Sequence, residues 1–376
     1  MRRFYISLVS YLVAVSFSLN FCPYVYAQSS DPFKDWQVME HKGQEAENKF
    51  DNVKAKKYYQ QALVYAVKMG SDSNERLQTM AHICNACVME KQMAEAETYY
   101  LALVSLVQNK KKKNIQQKHS GLSDGLMSAM DDLAESYFDC KGSNTIEAMK
   151  HALRLRELIS GDEHPEMSKN LWAITLHYFR LKEYFKAEPY ADKLVSIDSK
   201  KLAADDMKLG IEYQTLGTIK GNNLKFGEAE SYLRQAIAVF SSSNNMKILE
   251  ANLVKTELAL VLMKRNDLEK AEKTASEAVH FLEAKYGKNS SQAVGTRNIL
   301  SSILIKKKSW QKAQQNLLLS LSALEANYGI DQEIEISTLK QLQQCYENSG
   351  NSSKARATLE RIKRIERLVA KAKARN

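Results

Sequence analysis

One phrase recurs along this chain of 376 residues, and its spacing limits the possible folds more than any other feature. It places an alanine inside a polar and aromatic run, as in VKAKKYYQQAL and FGEAESYLRQA. The spacings between its clearest copies are 41, 91, 42, 42, 42 and 42 residues, and the interval of 91 holds one more copy, TIEAMKHALRL. A fixed period of this length predicts an array of eight structural repeats rather than one globular core. The key alanines are Ala55, Ala96, Ala148, Ala187, Ala229, Ala271, Ala313 and Ala355.

A second phrase precedes the alanine at a fixed distance. A small or slim residue lies twelve positions upstream, as Gly43, Cys84 and Gly217 do. That spacing fits a helix, a short turn and a second helix, with small residues where the two helices approach closely. The chain has only 14 Gly and 4 Pro, which is little punctuation for the many turns of an all-β fold. The sequence therefore predicts an all-α fold of antiparallel helical hairpins.

These hairpins resemble the tetratricopeptide repeat. In that repeat the first helix carries Leu-Gly or Leu-Ala, matched here by Leu216 and Gly217, and the second helix opens near a small residue, matched by Ala229 and followed by Leu233. The 42-residue period is similar to the longer variant of kinesin light chains. The resemblance covers about residues 36 to 370 and implies a right-handed α-solenoid of about eight antiparallel helix-turn-helix repeats.

The first 27 residues have the composition of an export signal. Two arginines precede a long apolar run, and small residues offer a cleavage site after Ala27. The apolar run approaches the length that spans a bilayer, so an uncleaved membrane anchor is the alternative. We therefore expect an exported protein that is periplasmic, secreted or bound to the envelope. Residues 28–35 are predicted to be a short linker.

The rest of the chain divides at one interruption of the period. Repeats 1 and 2 occupy residues 36–107, and residues 126–352 hold repeats 3 to 7 and the first part of repeat 8. Between them the Lys-rich segment, residues 108–125, is predicted to be a solvated loop. Residues 353–376 contain nine Lys or Arg and two Glu, and are predicted to form the basic C-terminal helix of repeat 8 with a capping tail.

The stretch GDEHPEM, residues 161–167, has the acidic and histidine side chains of a metal site. Gly161 lies in the same phase of the repeat as Gly70, and it lies within one residue of the phase of Gly287 and Gly329. Glycine at this point suits the end of a second helix, and the polar residues suit the crossing to the next hairpin. We interpret the stretch as a turn and predict no metal site.

Two further motifs suggest chemistry but lack its structural context. GLSDG, residues 121–125, matches the nucleophile elbow G-x-S-x-G without the strand that the elbow requires. Cys84 and Cys87 form a C-x-x-C pair in the middle of a predicted helix, where core packing is favoured over redox chemistry. We therefore predict no catalytic residue, no cofactor and no enzymatic activity.

The resemblance implies a binding surface on the concave face. In tetratricopeptide folds it is lined by positions 2, 5, 9, 12 and 13 of the first helix, with the key alanine at position 20. The corresponding candidates are Asp131, Glu135, Phe138 and Asp139 in repeat 3, Lys169, Trp172, Leu176, Phe179 and Arg180 in repeat 4, Gln214 and Thr218 in repeat 5, Asn298 and Ser302 in repeat 7, and Lys340 and Gln344 in repeat 8. Acidic and aromatic side chains together would select a basic or amide-rich segment. For Trp172 and Phe179, packing between repeats is the alternative.

The family's clamp for chaperone C-termini is not present. Lys and Asn would be needed at positions 5 and 9 of an early repeat, where this chain has Glu40 and Gln44 and then Ala81 and Asn85. We therefore predict a monomeric scaffold that binds a protein or peptide, with no nucleic acid partner. The alternative is a surface protein that contacts an anionic polymer or membrane through the basic C-terminal helix and the Lys-rich segment.

Overall fold

The computed structural model describes residues 31–114, 122–139, 145–161, 167–241 and 245–373. In these ranges the chain forms sixteen α-helices, two for each repeat of the sequence, and no strand. The fold is an all-α repeat solenoid, as predicted. The helices are α1 (Pro32–Glu47), α2 (Asn52–Lys68), α3 (Asn74–Met89), α4 (Met93–Asn114), α5 (Asp124–Asp139), α6 (Thr145–Ser160), α7 (Met167–Arg180), α8 (Tyr184–Lys201), α9 (Met207–Asn222), α10 (Phe226–Phe240), α11 (Asn245–Lys264), α12 (Leu268–Tyr286), α13 (Val294–Lys306), α14 (Trp310–Tyr328), α15 (Ile336–Asn348) and α16 (Ser352–Lys373).

The chain divides into two compact units, here called unit 1 and unit 2. Unit 1 ends at His177 and unit 2 begins at Tyr178, so the division falls inside α7. In unit 1, α1 packs on α2, α3 on α4 and α5 on α6. In unit 2 the same pairing joins α9 to α10, α11 to α12, α13 to α14 and α15 to α16. Each unit has its own apolar core between the helices.

Close contact between the two helices of a hairpin explains the conserved spacing of small residues. All eight key alanines are buried. A methyl group added at Gly43 would lie 2.4 Å from Cε1 of Tyr59, and one at Gly217 would lie 2.8 Å from Cγ of Leu233. The glycines thus leave the space that the second helix of the same hairpin fills, as the sequence predicts.

The turn inside each hairpin repeats the same backbone geometry. The first helix ends with an N–H that donates to the carbonyl five residues earlier, for example from Gln92 to Cys87 at 2.8 Å and from Asp267 to Leu262 at 2.9 Å. This is a Schellman ending, which needs a left-handed residue just before the donor. Among the described turns, glycine fills that place only in repeat 8, as Gly350. In the others the left-handed residues are Phe50, Lys91, Lys182, Leu224, Asn266 and Lys308.

Glycine instead ends several of the second helices. Gly70, Gly161, Gly287 and Gly329 all have positive φ, between 83° and 133°. The interpretation of Gly161 as a helix end is therefore confirmed. Residues 162–166 of the GDEHPEM stretch lie outside the described residues, and within the described ranges no group of three or more His, Cys, Asp or Glu is arranged to hold a metal ion.

The Lys-rich segment differs from the prediction of a loop, because α4 continues through Asn114. Its lysines reach neighbouring turns of unit 1. Lys110 Nζ donates to the carbonyl of Asp72 at 2.7 Å, Lys111 Nζ donates to the carbonyl of Leu158 at 2.6 Å, and Lys113 pairs with the Asp72 carboxylate at 2.8 Å. These bonds stabilise the extra helical turns. Residues 115–121 of the segment lie outside the described residues.

The cysteines of the described ranges belong to the core. Cys84, Cys87 and Cys345 are buried and free. Burial raises the pKa of the Cys84 thiol to about 12 and that of Cys87 to about 11, which leaves both thiols protonated. Core packing of the C-x-x-C pair is confirmed.

The structure does not test the predicted signal peptide, because residues 1–27 lie outside the described ranges. Among the helices that are described, none has the length and apolar character to cross a bilayer.

Candidate functional site

The first helices of repeats 1, 2 and 3 line a polar cavity in unit 1 that is open to solvent. Its volume is about 540 Å³, and it is lined from α1, α3 and α5. We call it the acidic cavity because three carboxylates lie in its wall. Its lining includes the amide and carboxylate side chains of Gln44, Glu47, Gln78, Asn85, Asp132 and Glu135.

Glu47, at the C-terminal end of α1, is held in place by two donors. The amide nitrogen of Asn85 donates to Oε1 at 2.8 Å, and the hydroxyl of Tyr59 donates to Oε2 at 2.7 Å. Tyr59 is fully buried against Gly43. The close approach of α1 and α2 therefore fixes the position of one wall carboxylate.

A buried polar chain ties α1 to α3 beside the cavity. Glu40 and His82 are 4% and 7% exposed, and Oε1 of Glu40 lies 2.6 Å from Nδ1 of His82. The hydroxyl of Thr79 donates to the other oxygen of Glu40 at 3.1 Å, and Trp36 Nε1 donates to the Thr79 oxygen at 2.8 Å. Satisfied buried networks of this kind fix the packing of their helices.

Asp132 and Asn85 leave unused acceptors at the cavity. Partial burial raises the pKa of Asp132, the carboxylates of Glu47 and Asp131 raise it further, and His82 opposes the shift. Asn85 is 6% exposed, its amide nitrogen bonds Glu47, and its Oδ1 has no hydrogen-bond partner. The cavity wall therefore contains acceptors at Asp132 and Asn85 that no described side chain donates to.

The predicted groove residues of repeat 3 are brought together only in part. Glu135 lines the cavity and pairs with Lys169 at 2.6 Å and with Arg156. Lys169 Nζ also lies 4.2 Å from the centre of the Phe138 ring. Asp131 lies 3.5 Å from Nε of Arg156 and is absent from the cavity lining.

The other groove candidates on α5 and α7 show mixed exposure. Asp139 and Arg180 are exposed, while Trp172 and Leu176 are half-buried. Phe179 is half-buried and packs edge-to-face against Tyr184, with ring centres 5.7 Å apart. This contact engages Phe179 in packing within unit 2.

In unit 2 the predicted groove residues connect successive first helices. Gln214 and Thr218 on α9 both donate to the Glu257 carboxylate on α11, at 2.7 and 2.6 Å. Burial raises the pKa of Glu257, and these two donors oppose the shift. Since the bonds cross from one repeat to the next, they also have a structural role.

The same pattern continues in repeats 7 and 8. Asn298 donates to the Thr338 hydroxyl at 2.9 Å, and the Ser302 hydroxyl donates to Oε1 of Gln341 at 3.2 Å. Lys340 pairs with Glu366 at 3.3 Å, and Gln344 is exposed. Five candidates of unit 2 thus have side-chain partners within the array, namely Gln214, Thr218, Asn298, Ser302 and Lys340.

The basic C-terminal helix is neutralised in part by carboxylates of the preceding repeat. Arg361 on α16 pairs with Glu325 at 2.7 Å and with Asp331 at 3.2 Å, and it also contacts Glu335. Arg364 pairs with Asp331 at 2.7 Å. These ion pairs reduce the positive charge that α16 offers to an anionic polymer or membrane.

Among the residues that line the acidic cavity, the sequence predicts only Glu135 as a groove residue, and Glu47, His82 and Asp132 are among those it misses. Glu47 occupies position 12 of repeat 1, so the count of groove positions applied to that repeat would have found it. His82 and Asp132 both occupy position 6, which is outside the template. Their place in the wall follows from the packing of α3 on α5, which no local pattern of the sequence reveals.

The chain is similar to several solved structures, one of which is described as having TPR-like repeats. A protein of Podosopora anserina, described as having nearly identical TPR-like repeats of the kinesin light chain type, aligns with 56% of this chain and 99% of its own at a TM-score of 0.50 and 16% identity. BtubC from P. vanneervenii covers 64% of this chain and 92% of its own, with a TM-score of 0.48 and 18% identity. RapI covers 77% of this chain and 76% of its own, with a TM-score of 0.49 and 12% identity.

The remaining comparisons are negative, since no protein-family model and no curated protein sequence matches the chain. Three observations agree on the fold. The described helices pair into hairpins, alanines and glycines lie where the helices touch, and a solved structure with TPR-like repeats is similar. By its fold, the chain is a tetratricopeptide-type α-solenoid.

Proposed function

We propose that the chain is a binding scaffold that holds a segment of a protein or peptide along its first helices. The observation that supports this best is the acidic cavity, a volume of about 540 Å³ that the described chain leaves unfilled and lines from three successive first helices. Stacked hairpins provide extended surfaces for such segments. The proposed role needs no catalytic step, and we expect no turnover.

Export remains part of the proposal. The charged start, the apolar run and the small residues before position 28 support a signal peptide. A scaffold of this kind would act in the periplasm, in the envelope or outside the cell.

Polyanion binding has less support than polypeptide binding. Lys110, Lys111 and Lys113 of the Lys-rich segment bond to groups of unit 1, and Arg361 and Arg364 of α16 pair with carboxylates of unit 2. A surface that binds phosphates or anionic lipid presents such side chains to its ligand.

A displayed library of random peptides tests the proposed function. Peptides selected on the full chain should lose at least about tenfold in affinity when the cavity is filled by Ser128→Trp, because a bulky side chain occupies the ligand's volume. Ser128 lines the cavity and is exposed, so the larger side chain is tolerated. Thr98→Trp on α4, also at an exposed position, is the matched control and should bind normally.

Two results would contradict the proposal. One is the enrichment of no peptide at all, and the other is equal binding by both tryptophan variants. Trp172→Ala and Phe179→Ala, measured with the same peptides, establish whether these half-buried side chains contact the ligand or only pack. A steep loss of binding at moderate salt together with loss on neutralising α16 would favour the polyanion alternative.

A further inference from the structure

We propose that the acidic cavity binds a cationic side chain, a lysine ammonium or an arginine guanidinium, presented by the polypeptide partner. This inference rests on the proposed function and names the chemistry of the segment that the scaffold recognises.

The charge of the wall is the first ground. Glu47, Asp132 and Glu135 lie around the cavity, and His82 is the one basic side chain among its lining residues. His82 is already engaged by Glu40 at 2.6 Å. Carboxylates gathered in a partly desolvated cavity repel one another, and a cation placed among them relieves that repulsion.

Asn85 supplies a second and independent ground. Its side chain is nine-tenths buried, it lines the cavity, and its nitrogen is taken by Glu47, so its Oδ1 is the atom left without a partner. A buried acceptor without a donor costs free energy, which a ligand N–H recovers. A hydrogen-bond donor would therefore satisfy this oxygen, and a positive charge would neutralise the carboxylates.

The geometry narrows the ligand to a group with several donors. Glu135 shares its charge with Arg156 and Lys169, which leaves Asp132 and Glu47 as the carboxylates with remaining acceptor capacity. A guanidinium has five N–H donors and an ammonium has three, so either carries enough donors for Asp132, Glu47 and Asn85 Oδ1. A metal ion is disfavoured, because no set of three ligating side chains converges in the described ranges.

Two adjacent residues of α5 provide a matched pair of variants. Asp132→Asn and Asp131→Asn remove the same charge from neighbouring positions. Asp132 lines the cavity, whereas Asp131 pairs with Arg156 outside the lining. If the cation binds in the cavity, only Asp132→Asn should weaken its binding. If binding depends only on the overall negative charge, both variants should weaken it equally.

The experiment compares two short peptides, titrated by calorimetry into the full chain, that are otherwise uncharged and differ only at a central arginine or citrulline. At about 50 mM salt we expect the arginine peptide to bind about tenfold tighter than the citrulline peptide. Asp132→Asn should abolish this preference, and Asp131→Asn should keep it within about twofold of the original. Circular dichroism should show that both variants keep the helical content of the original chain.

Several outcomes would overturn the inference. They are equal affinity for arginine and citrulline, no measurable binding of the arginine peptide, or the same loss in both aspartate variants. These failures are separable from failure of the proposed function. Ser128→Trp could block the library peptides while the arginine peptide binds no tighter than the citrulline peptide. That result would contradict the cationic site and leave the scaffold proposal standing.

Discussion

Replacing Gly43 by alanine should destabilise the chain, although alanine is the better helix former. The added methyl carbon would lie 2.4, 2.6 and 2.8 Å from three ring carbons of Tyr59, where carbon atoms normally approach to about 3.5–4.0 Å. Tyr59 has no free space to yield, since it is fully buried and its hydroxyl bonds Glu47 at 2.7 Å.

The magnitude follows from opposing effects. Overpacking costs about 1–3 kcal/mol, and a displaced ring would lose the bond to Glu47, worth about 1 kcal/mol. The gain in helix propensity is about 1 kcal/mol. We therefore expect Gly43→Ala to lower the free energy of unfolding by about 1–3 kcal/mol and to weaken the hydrogen bond from Tyr59 to Glu47.

The matched control is the same substitution at Gly295. That glycine is exposed in α13, and no heavy atom lies within 4 Å of a methyl group placed there. Gly295→Ala should therefore stabilise the chain by about 0.5–1 kcal/mol. Urea titration followed by helical circular dichroism measures both variants. If Gly43→Ala stabilises the chain as much as Gly295→Ala does, the close packing of α1 on α2 is wrong.

Three further predictions concern a turn, a buried acid and the buried thiols. Leu224 has φ of 64° and is 71% exposed, so Leu224→Asn should relieve left-handed strain and raise the free energy of unfolding by about 0.5–1 kcal/mol; an unchanged or lower urea midpoint would contradict this. Burial and the neighbouring Asp198 raise the pKa of Glu212 to about 8, so the folded chain binds more protons than the unfolded one above the ordinary carboxyl pKa. Stability should then fall as pH rises from about 4.5 to 8, by at most about 1.4 kcal/mol per pH unit, and Glu212→Gln should flatten the slope; equal slopes in urea titrations at several pH values would refute it. Cys84 and Cys87 should react with a thiol reagent only after unfolding, as a quantitative labelling time course in native buffer and in urea will show; rapid native labelling of either thiol would contradict their place in the core.

The repeats could be predicted from the sequence because each hairpin has its own local signal. The alanine at position 20 and the small residue twelve positions before it mark where the two helices of a hairpin pack most closely. Gly43 and Ala55 therefore identify the first hairpin from the sequence alone. Gly161 likewise marks a helix end, because its positive φ is a conformation that glycine adopts readily.

Other features of the fold depend on contacts far away in the sequence. The left-handed turns at Phe50 and Leu224 carry no glycine, because the Schellman bonds and the packed helices impose the conformation on ordinary residues. The extension of α4 to Asn114 depends on carbonyls at Asp72 and Leu158. No pattern within the Lys-rich segment indicates these partners.

The candidate site, too, could be predicted from local sequence patterns only in part. Counting of groove positions placed Glu135 correctly beside the cavity, whereas Asp131 pairs with Arg156 and its neighbour Asp132 takes the place in the wall. A shift of one residue on a helix turns a side chain by about 100°, which template counting does not resolve. The unpaired oxygen of Asn85 becomes visible only when Glu47 is seen to occupy its nitrogen.

The central claim is that the first helices of repeats 1 to 3 hold a polypeptide segment through its cationic side chain. The most direct measurement is photocrosslinking of the full chain to an arginine peptide with a photoreactive group beside the arginine, mapped by mass spectrometry. The account predicts crosslinks within residues 44–48, 78–85 and 128–136, and their loss in Asp132→Asn but not in Asp131→Asn. Crosslinks concentrated on α16, on the second helices or nowhere would contradict it.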